Sequence, residues 1–356
     1  MRLPTPAIPR GRRRRRVRGA LAILVRGALA ILVAAVIVVG IGLPASAQRR
    51  WVVAFANLTE EPGVTLEGTG FTGPEVRESF TLAARPYPID LVLYDNRRDD
   101  ARAVANAEAA IARRVDLYVQ YHRGGAANAT VGQKLKAGGI PALAINDPLP
   151  GAPLYALDNA GAGRVAGEAL AQFAARAWSG QSTVAVVIGR VSAAAERVPE
   201  RVRGVTDALR ERLPGARVTT LDTHGNPAQV GPLLGAFLSA NPSRKVLIAA
   251  TDDATALAAK TAVEAVGRAL DAAIVGQGVD RTIHGGINDR KEIDPANRNS
   301  IVIGSVAFYL DRLGYEVLPL ALRMLRGEAV PSRTLTPHKL ITAANVFIEY
   351  PPYDMN

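Results

Sequence analysis

Four histidines, a pair of adjacent aspartates and one glycine cluster are the residues whose types and spacing could do chemistry. His122, His224, His284 and His338 lie far apart, and none is paired at metal-ligand spacing. No HExxH, GxSxG or GxxxxGK[ST] pattern occurs, so zincin, serine-hydrolase and P-loop chemistries have no sequence support. The absence of cysteine excludes thiolate catalysis, Cys-ligated zinc, iron–sulfur clusters, disulfides and a lipid-modified N-terminal cysteine. Asp252 and Asp253 could serve acid–base chemistry, but no partner base accompanies them. One capping the next helix while the other binds a polar ligand is the better reading. Gly68-Thr-Gly70-Phe-Thr-Gly73 matches GxGxxG. A dinucleotide site needs those glycines directly after a strand. Here residues 58–67 intervene and Pro74-Glu75 follows, so a flexible glycine-rich loop is expected instead.

The elements that would position polar groups alternate between strand and helix. Short apolar runs recur at 51–57, 89–94, 115–120, 140–145, 154–157, 183–188, 217–221, 245–250, 273–275 and 301–303. Continuous rather than alternating hydrophobicity implies burial on both faces, as in parallel sheets. Between the runs, Asp99 and Asp100 can cap a helix running to about Arg114. Val165, Ala169, Leu170 and Phe173 line one helical face; Leu257, Thr261, Ala262, Ala265, Val266 and Ala269 line another. Repeated βα units predict a doubly wound α/β fold, and this many strands fit two lobes better than one sheet. Ligands of such sheets sit beyond the carboxyl ends of the strands.

The formal net charge of +11 is local. Residues 1–47 carry nine arginines and no Lys, Asp or Glu, leaving 34 basic against 32 acidic residues in the remainder. An arginine-rich start, the apolar run 27–43 and Pro44-Ala-Ser-Ala47 describe a secretory signal peptide cut after Ala47. An uncleaved anchor is the alternative, since the run falls just short of the ~20 residues that span a bilayer. The octapeptide RGALAILV stands at 18–25 and again at 26–33, a duplication inside a segment that needs only to be apolar. The near-neutral remainder gives no support to nucleic-acid binding.

Eight segments in order resemble the periplasmic sugar-binding proteins of ABC importers, of the ribose-binding-like type I fold. They are Val52–Asn57, Val115–Gln120, Gly139–Asp147, Leu157-Asp-Asn159 with Gly163 and Gly167, Arg201–Gly204, Ala250–Leu257, Ile274–Gly278, and the tail Gly327–Pro331 with Leu340–Asn345. The resemblance implies two Rossmann-like lobes with parallel sheets joined by a three-strand hinge. After the signal peptide (1–47), the N-terminal lobe would comprise 48–158 plus 306–336, and the C-terminal lobe 159–305 plus 337–356. It implies a monomeric periplasmic receptor without cofactor, closing on a sugar or sugar-like molecule and docking on a membrane permease. Ligand contacts carried over by position are Asn57, Thr59, Glu60, Gln120, His122, Asn146 and Asp147 in the first lobe, and Arg201, Asp252 and Gln277 in the second. Arg197 is an alternative to Arg201. Departures stand beside these matches. Asp252 replaces a usual Asn, the usual Asp at 277 or 278 is absent, and Leu58-Thr59 stand where tandem aromatics are usual, leaving Phe71 or Phe308 to stack on a ring. A LacI-type repressor would need a helix-turn-helix where the apolar segment stands. A sensor feeding a membrane kinase and a secreted carbohydrate hydrolase are the other readings.

Overall fold

The computed structural model describes residues 49–285, 290–297 and 299–350; the signal-peptide expectation lies outside them. The strands form two six-stranded sheets. The first contains β1 (Trp51–Asn57), β2 (Ile89–Asp95), β3 (Leu117–Tyr121), β4 (Ala142–Ile145), β5 (Leu154–Ala156) and β11 (Arg333–Leu335), in the order β11-β5-β4-β3-β1-β2. The second contains β6 (Thr183–Gly189), β7 (Arg217–Asp222), β8 (Lys245–Ala250), β9 (Ala272–Gly278), β10 (Val302–Ala307) and β12 (Leu340–Ile341), in the order β12-β10-β9-β8-β6-β7. Every pairing is parallel except β10 with β12. The expected parallel α/β class is therefore observed. Its cause is visible in burial: β3 and β9 are buried along their whole length, whereas the edge strand β7 is mostly half-exposed.

Between the strands run α1 (Gly73–Ala84), α2 (Asp100–Ala112), α3 (Gly125–Ala137), α4 (Asn159–Ala177), α5 (Val198–Arg212), α6 (Val230–Ser239), α7 (Asp253–Ala265) and α8 (Leu313–Leu325). Asp99 caps α2 as expected, its carboxylate accepting from the Arg102 N–H. The chain passes between the sheets three times: from β5 into α4, from β10 into α8, and from β11 to β12. The α8 helix returns to the first sheet's side, where Gly314 lies against the backbone of Ser79 and Phe80 and donates its N–H to Ser79 Oγ.

Two expected helix faces are rotated. In α7 the buried stripe is Ala256, Ala259 and Val263, while Val266 is half-exposed. The helix also stops at Ala265, with left-handed Gly267 just beyond. In α4 the buried stripe runs through Ala162, Ala166 and Leu170, with Val165, Ala169 and Phe173 only partly buried on its flank. Both helices are alanine-rich, with 8 of 19 residues in α4 and 6 of 13 in α7, which leaves little amphipathic contrast to set the face. Packing sets it instead: α4 crosses α5 at Gly163 and Gly204. A Cβ on Gly163 would lie 2.0 Å from the Arg201 carbonyl oxygen, and one on Gly204 2.1 Å from that of Ala160.

Candidate functional site

The loops at the carboxyl ends of the two sheets meet each other. Glu67, Gly68 and Gly70 lie between β1 and α1; Arg123 follows β3, and Asp147 follows β4. From the other sheet, Arg190 to Arg197 follow β6, Thr251 and Asp252 follow β8, and Asp280 follows β9. Arg197 pairs with Asp147 at 3.3 Å, Arg123 stands 4.0 Å from Glu196, and a Cβ on Gly70 would strike the Asp280 carboxylate at 1.9 Å. Doubly wound sheets place ligands beyond these strand ends.

At the centre stands Arg201, on the first turn of α5 and fully buried. Its guanidinium donates to Glu67 O (2.8 Å), Gly68 O (3.1 Å), Thr251 O (2.6 Å) and Asn159 Oδ1 (2.8 and 3.2 Å). The ring of Phe308 lies 4.2 Å below its central carbon, with His338 tilted against that ring. Burial lowers its pKa to about 10, which leaves it cationic at neutral pH. One side chain thus ties the first-sheet loop 58–72 to the second sheet. Arg197 takes the less enclosed role, left-handed in backbone (φ 55) and paired with Asp147. Burial raises the Asp147 carboxyl above its ordinary value, against the pull of Arg197.

The other sequence-derived positions take separate places. Asn57, Thr59 and Glu60 build the loop. Asn57 donates to Gly73 O (2.9 Å), Thr59 Oγ1 accepts from the Glu61 N–H, and Glu60 pairs with Arg77 at 2.7 Å. Gln120 and His122 turn toward α2 and α3: Gln120 donates to Asn128 Oδ1, and His122 Nε2 lies 2.8 Å from Asp100. Asn146 (φ 60) accepts from the Leu157 N–H. Asp252 caps α7, accepting from the Thr255 N–H at 2.7 Å. Gln277 is fully buried on β9. Four of these residues keep buried polar atoms without a hydrogen-bond partner: Gln120 Oε1, His122 Nδ1, Asn146 Nδ2 and both amide atoms of Gln277. Such atoms are costly in a sealed interior and fit a position where a polar ligand or water completes the bonding.

The glycine-rich loop is packed rather than free. Leu58, Leu66 and Phe71 belong to the main core cluster, and Phe71 is buried. Between Leu66 and Phe71 the tip carries Glu67, 4% exposed. Its carboxylate accepts from the Tyr121 hydroxyl at 2.5 Å and pairs with Arg123 at 3.1 Å. Burial opposes the Arg123 charge, but Glu67, Tyr121 and Glu196 outweigh it and hold that guanidinium more firmly protonated. Arg190 pairs with Glu196 at 2.7 Å. The residues gathered here that the sequence did not single out are Glu67, Arg123, Arg190 and Glu196; Tyr121 lies within the third-strand end the resemblance pointed to. Position just after β3 and β6 was the available signal for Arg123 and Arg190; Glu67 had none.

Beside the tip lies a cavity of about 200 Å³, lined in part by Thr65, Thr69, Arg190, Thr223, Asp252 and Thr255. Hydroxyls there both donate and accept, while Arg190 donates and Asp252 accepts. Behind it Asp253 is buried, accepting from Ser305 Oγ (2.5 Å) and the Asp280 N–H (2.9 Å). Burial, then Asp280, pushes the Asp253 carboxyl well above the usual range. It supports β9 and β10 rather than lining the cavity. Among the described residues no cluster of His, Cys, Asp or Glu is arranged to hold a metal ion.

Comparison with known proteins agrees with this architecture. The family model described as a periplasmic binding protein domain matches residues 64–329. No curated protein sequence matches the chain. Among solved structures, it is similar to an ABC transporter periplasmic solute binding protein from Actinobacillus succinogenes with bound D-allose (TM-score 0.62, 19% identity, 83% of this chain and 99% of that one). It is similar to an ABC transporter solute binding protein from Bacillus halodurans with bound myo-inositol (0.58, 18%, 84% and 97%). It is also similar to the fructose binding periplasmic domain of a hybrid two component system (0.59, 15%, 84% and 93%). With two parallel sheets, three crossings and that family match, this chain belongs to the periplasmic binding protein domain family and has its type I fold.

Proposed function

We propose that this protein is an exported solute receptor. It captures a sugar or sugar-like polar molecule between its lobes and delivers it to an ABC importer, without chemistry of its own. The observation that carries the reading is the meeting of loop 58–72 with the second sheet's strand ends around a polar cavity fringed by Thr65, Thr69, Arg190 and Asp252. Planar groups such as Asp, Asn and Arg can bond two neighbouring hydroxyls at once. The D-allose and myo-inositol carried by two similar structures support a carbohydrate or polyol ligand. Ligand would shift an open–closed equilibrium, because it touches both lobes only in the closed form.

The protein lacking residues 1–47 should gain melting temperature with at least one member of a sugar, polyol and sugar-acid panel. A shift with another solute class alone would defeat the carbohydrate assignment. A second reading, a ligand sensor for a membrane kinase, draws on the similarity to the two-component periplasmic domain. Ligand-dependent retention of detergent-solubilised permease, against retention of a histidine-kinase ectodomain, separates the two.

A further inference from the structure

The tip of loop 58–72 makes the contacts a bound ligand would make. Glu67 and Gly68 sit between the facing strand ends, and their carbonyls accept from the two terminal nitrogens of the buried Arg201. The Glu67 carboxylate takes the Tyr121 hydroxyl and Arg123. Arg123's next carboxylate, Glu196, stands 4.0 Å away and is itself bound to Arg190 at 2.7 Å. If the tip left, the buried Tyr121 phenol would lack an acceptor, the partly buried Arg123 would lose its carboxylate partner, and Arg201 would lose two carbonyls. That gap fits one carboxylate with further oxygen acceptors a few ångströms away.

The tip is also built to move while its base stays. Leu66 and Phe71 are anchored in the core and joined by the Leu66 N–H to Phe71 O bond (2.8 Å). Glu67 and Gly68, by contrast, are consecutive left-handed residues (φ 55 and 62). For Glu67 this conformation is strained and persists only while its surroundings enforce it. Arg201 pulls both carbonyls inward, and a Cβ on Gly70 would not clear Asp280.

We propose that Glu67-Gly68 is an internal stand-in for the ligand, and that the true ligand is a carboxylate-bearing sugar (a uronic or aldonic acid). Its carboxylate replaces that of Glu67 at Arg123 and Tyr121, and its hydroxyls replace the two carbonyls at Arg201. This rests on the receptor reading and names the ligand class for that site. The competing tip would hold part of the population closed without ligand and weaken apparent affinity by the fraction it blocks.

Isothermal titration of residues 48–356 with D-galacturonate, D-glucuronate, D-gluconate, D-galactose and acetate tests it. At least one sugar acid should bind well above galactose and acetate. Glu67→Ala should bind that acid about tenfold more tightly, the competing carboxylate being gone while the two carbonyls remain. Arg123→Met should lose the acid; Arg123→Lys, with circular dichroism to check folding, should retain a weakened response. Galactose binding as well as the acids, or acetate as well as either, overturns the acid assignment and leaves the receptor reading standing. A Glu67→Ala variant that melts earlier, binds no more tightly and is not restored by a sugar acid shows a purely structural Glu67 and also overturns it. Binding of no carbohydrate, neutral or acidic, to wild type or Glu67→Ala overturns the receptor reading with it.

Discussion

Arg201 shows how one residue can join two halves of a molecule. Replacing it with Met removes every donor now held by Glu67 O, Gly68 O and Thr251 O. Each buried acceptor left without a partner costs about 1–3 kcal/mol, so Arg201→Met should destabilise by about 3 kcal/mol or more in urea denaturation. A loss below about 1 kcal/mol would mean the three carbonyls find water. His284 carries a pH prediction. It lies against Tyr350, and burial lowers its pKa to about 4 from an ordinary 6.5. The fold therefore holds the neutral ring, and stability falls as pH drops from about 6.5 toward about 4, where the unfolded chain takes the proton first. Nearby Asp311 acts in the opposite direction: burial raises it to about 6, and it loses stability as pH rises through that range. His284→Gln should accordingly gain on wild type by about 2 kcal/mol between pH 7 and pH 5. No change in that difference would mean the ring titrates normally. The sequence singled out Arg201 and Asp252 by position but could not say what they would bond. For Arg201 that depends on Glu67 and Gly68, over a hundred residues away in the chain, whereas Asp252 caps its own helix three residues on.

At the scale of elements, glycine positions separate packing from propensity. Gly204 faces the Ala160 carbonyl across the α4–α5 crossing, whereas Gly235 in α6 has open space where a Cβ would stand. Gly204→Ala should cost about 1–3 kcal/mol by forcing the helices apart. Gly235→Ala should instead stabilise by about 1 kcal/mol through helix propensity. Denaturation midpoints of the two variants on opposite sides of wild type are the expected result; equal midpoints would refute the crossing argument. The long apolar strands were legible because burial on both faces leaves an unbroken apolar run, as in β1 and β8. The short strands β11 and β12 were not: Arg333-Thr-Leu335 and Leu340-Ile341 carry too few residues to show a period. The rotated faces of α4 and α7 failed for a related reason, alanine being compatible with any face.

At the scale of the whole molecule, the arginine-rich start and the near-neutral body are separate parts. N-terminal sequencing of exported protein should begin at Gln48, and isoelectric focusing should show a sharp drop from the sequence value of about 10.2. A chain that keeps Met1 after export would support the uncleaved anchor. The two sheets are joined by three crossings, the few backbone segments about which a closing motion would turn. Weakening the Arg201 tie should favour the open form. Arg201→Lys should enlarge the ligand-free radius of gyration in X-ray scattering, and saturating ligand should restore it in part. An unchanged radius would place the hinge's resistance elsewhere.

The sequence by itself determined the fold class, the alternation of elements and the strand ends at which polar residues gather. Those follow from local periodicity and from burial on both faces of a sheet, which each short segment records on its own. The tertiary structure alone decided what fills the space between the lobes. A glycine-rich segment with the look of a loose loop becomes the cleft's occupant. Leu66 and Phe71 anchor it in the core, and Arg201, Tyr121 and Arg123 supply the donors its tip needs. Those groups converge only after both sheets have formed, so no local pattern could announce them.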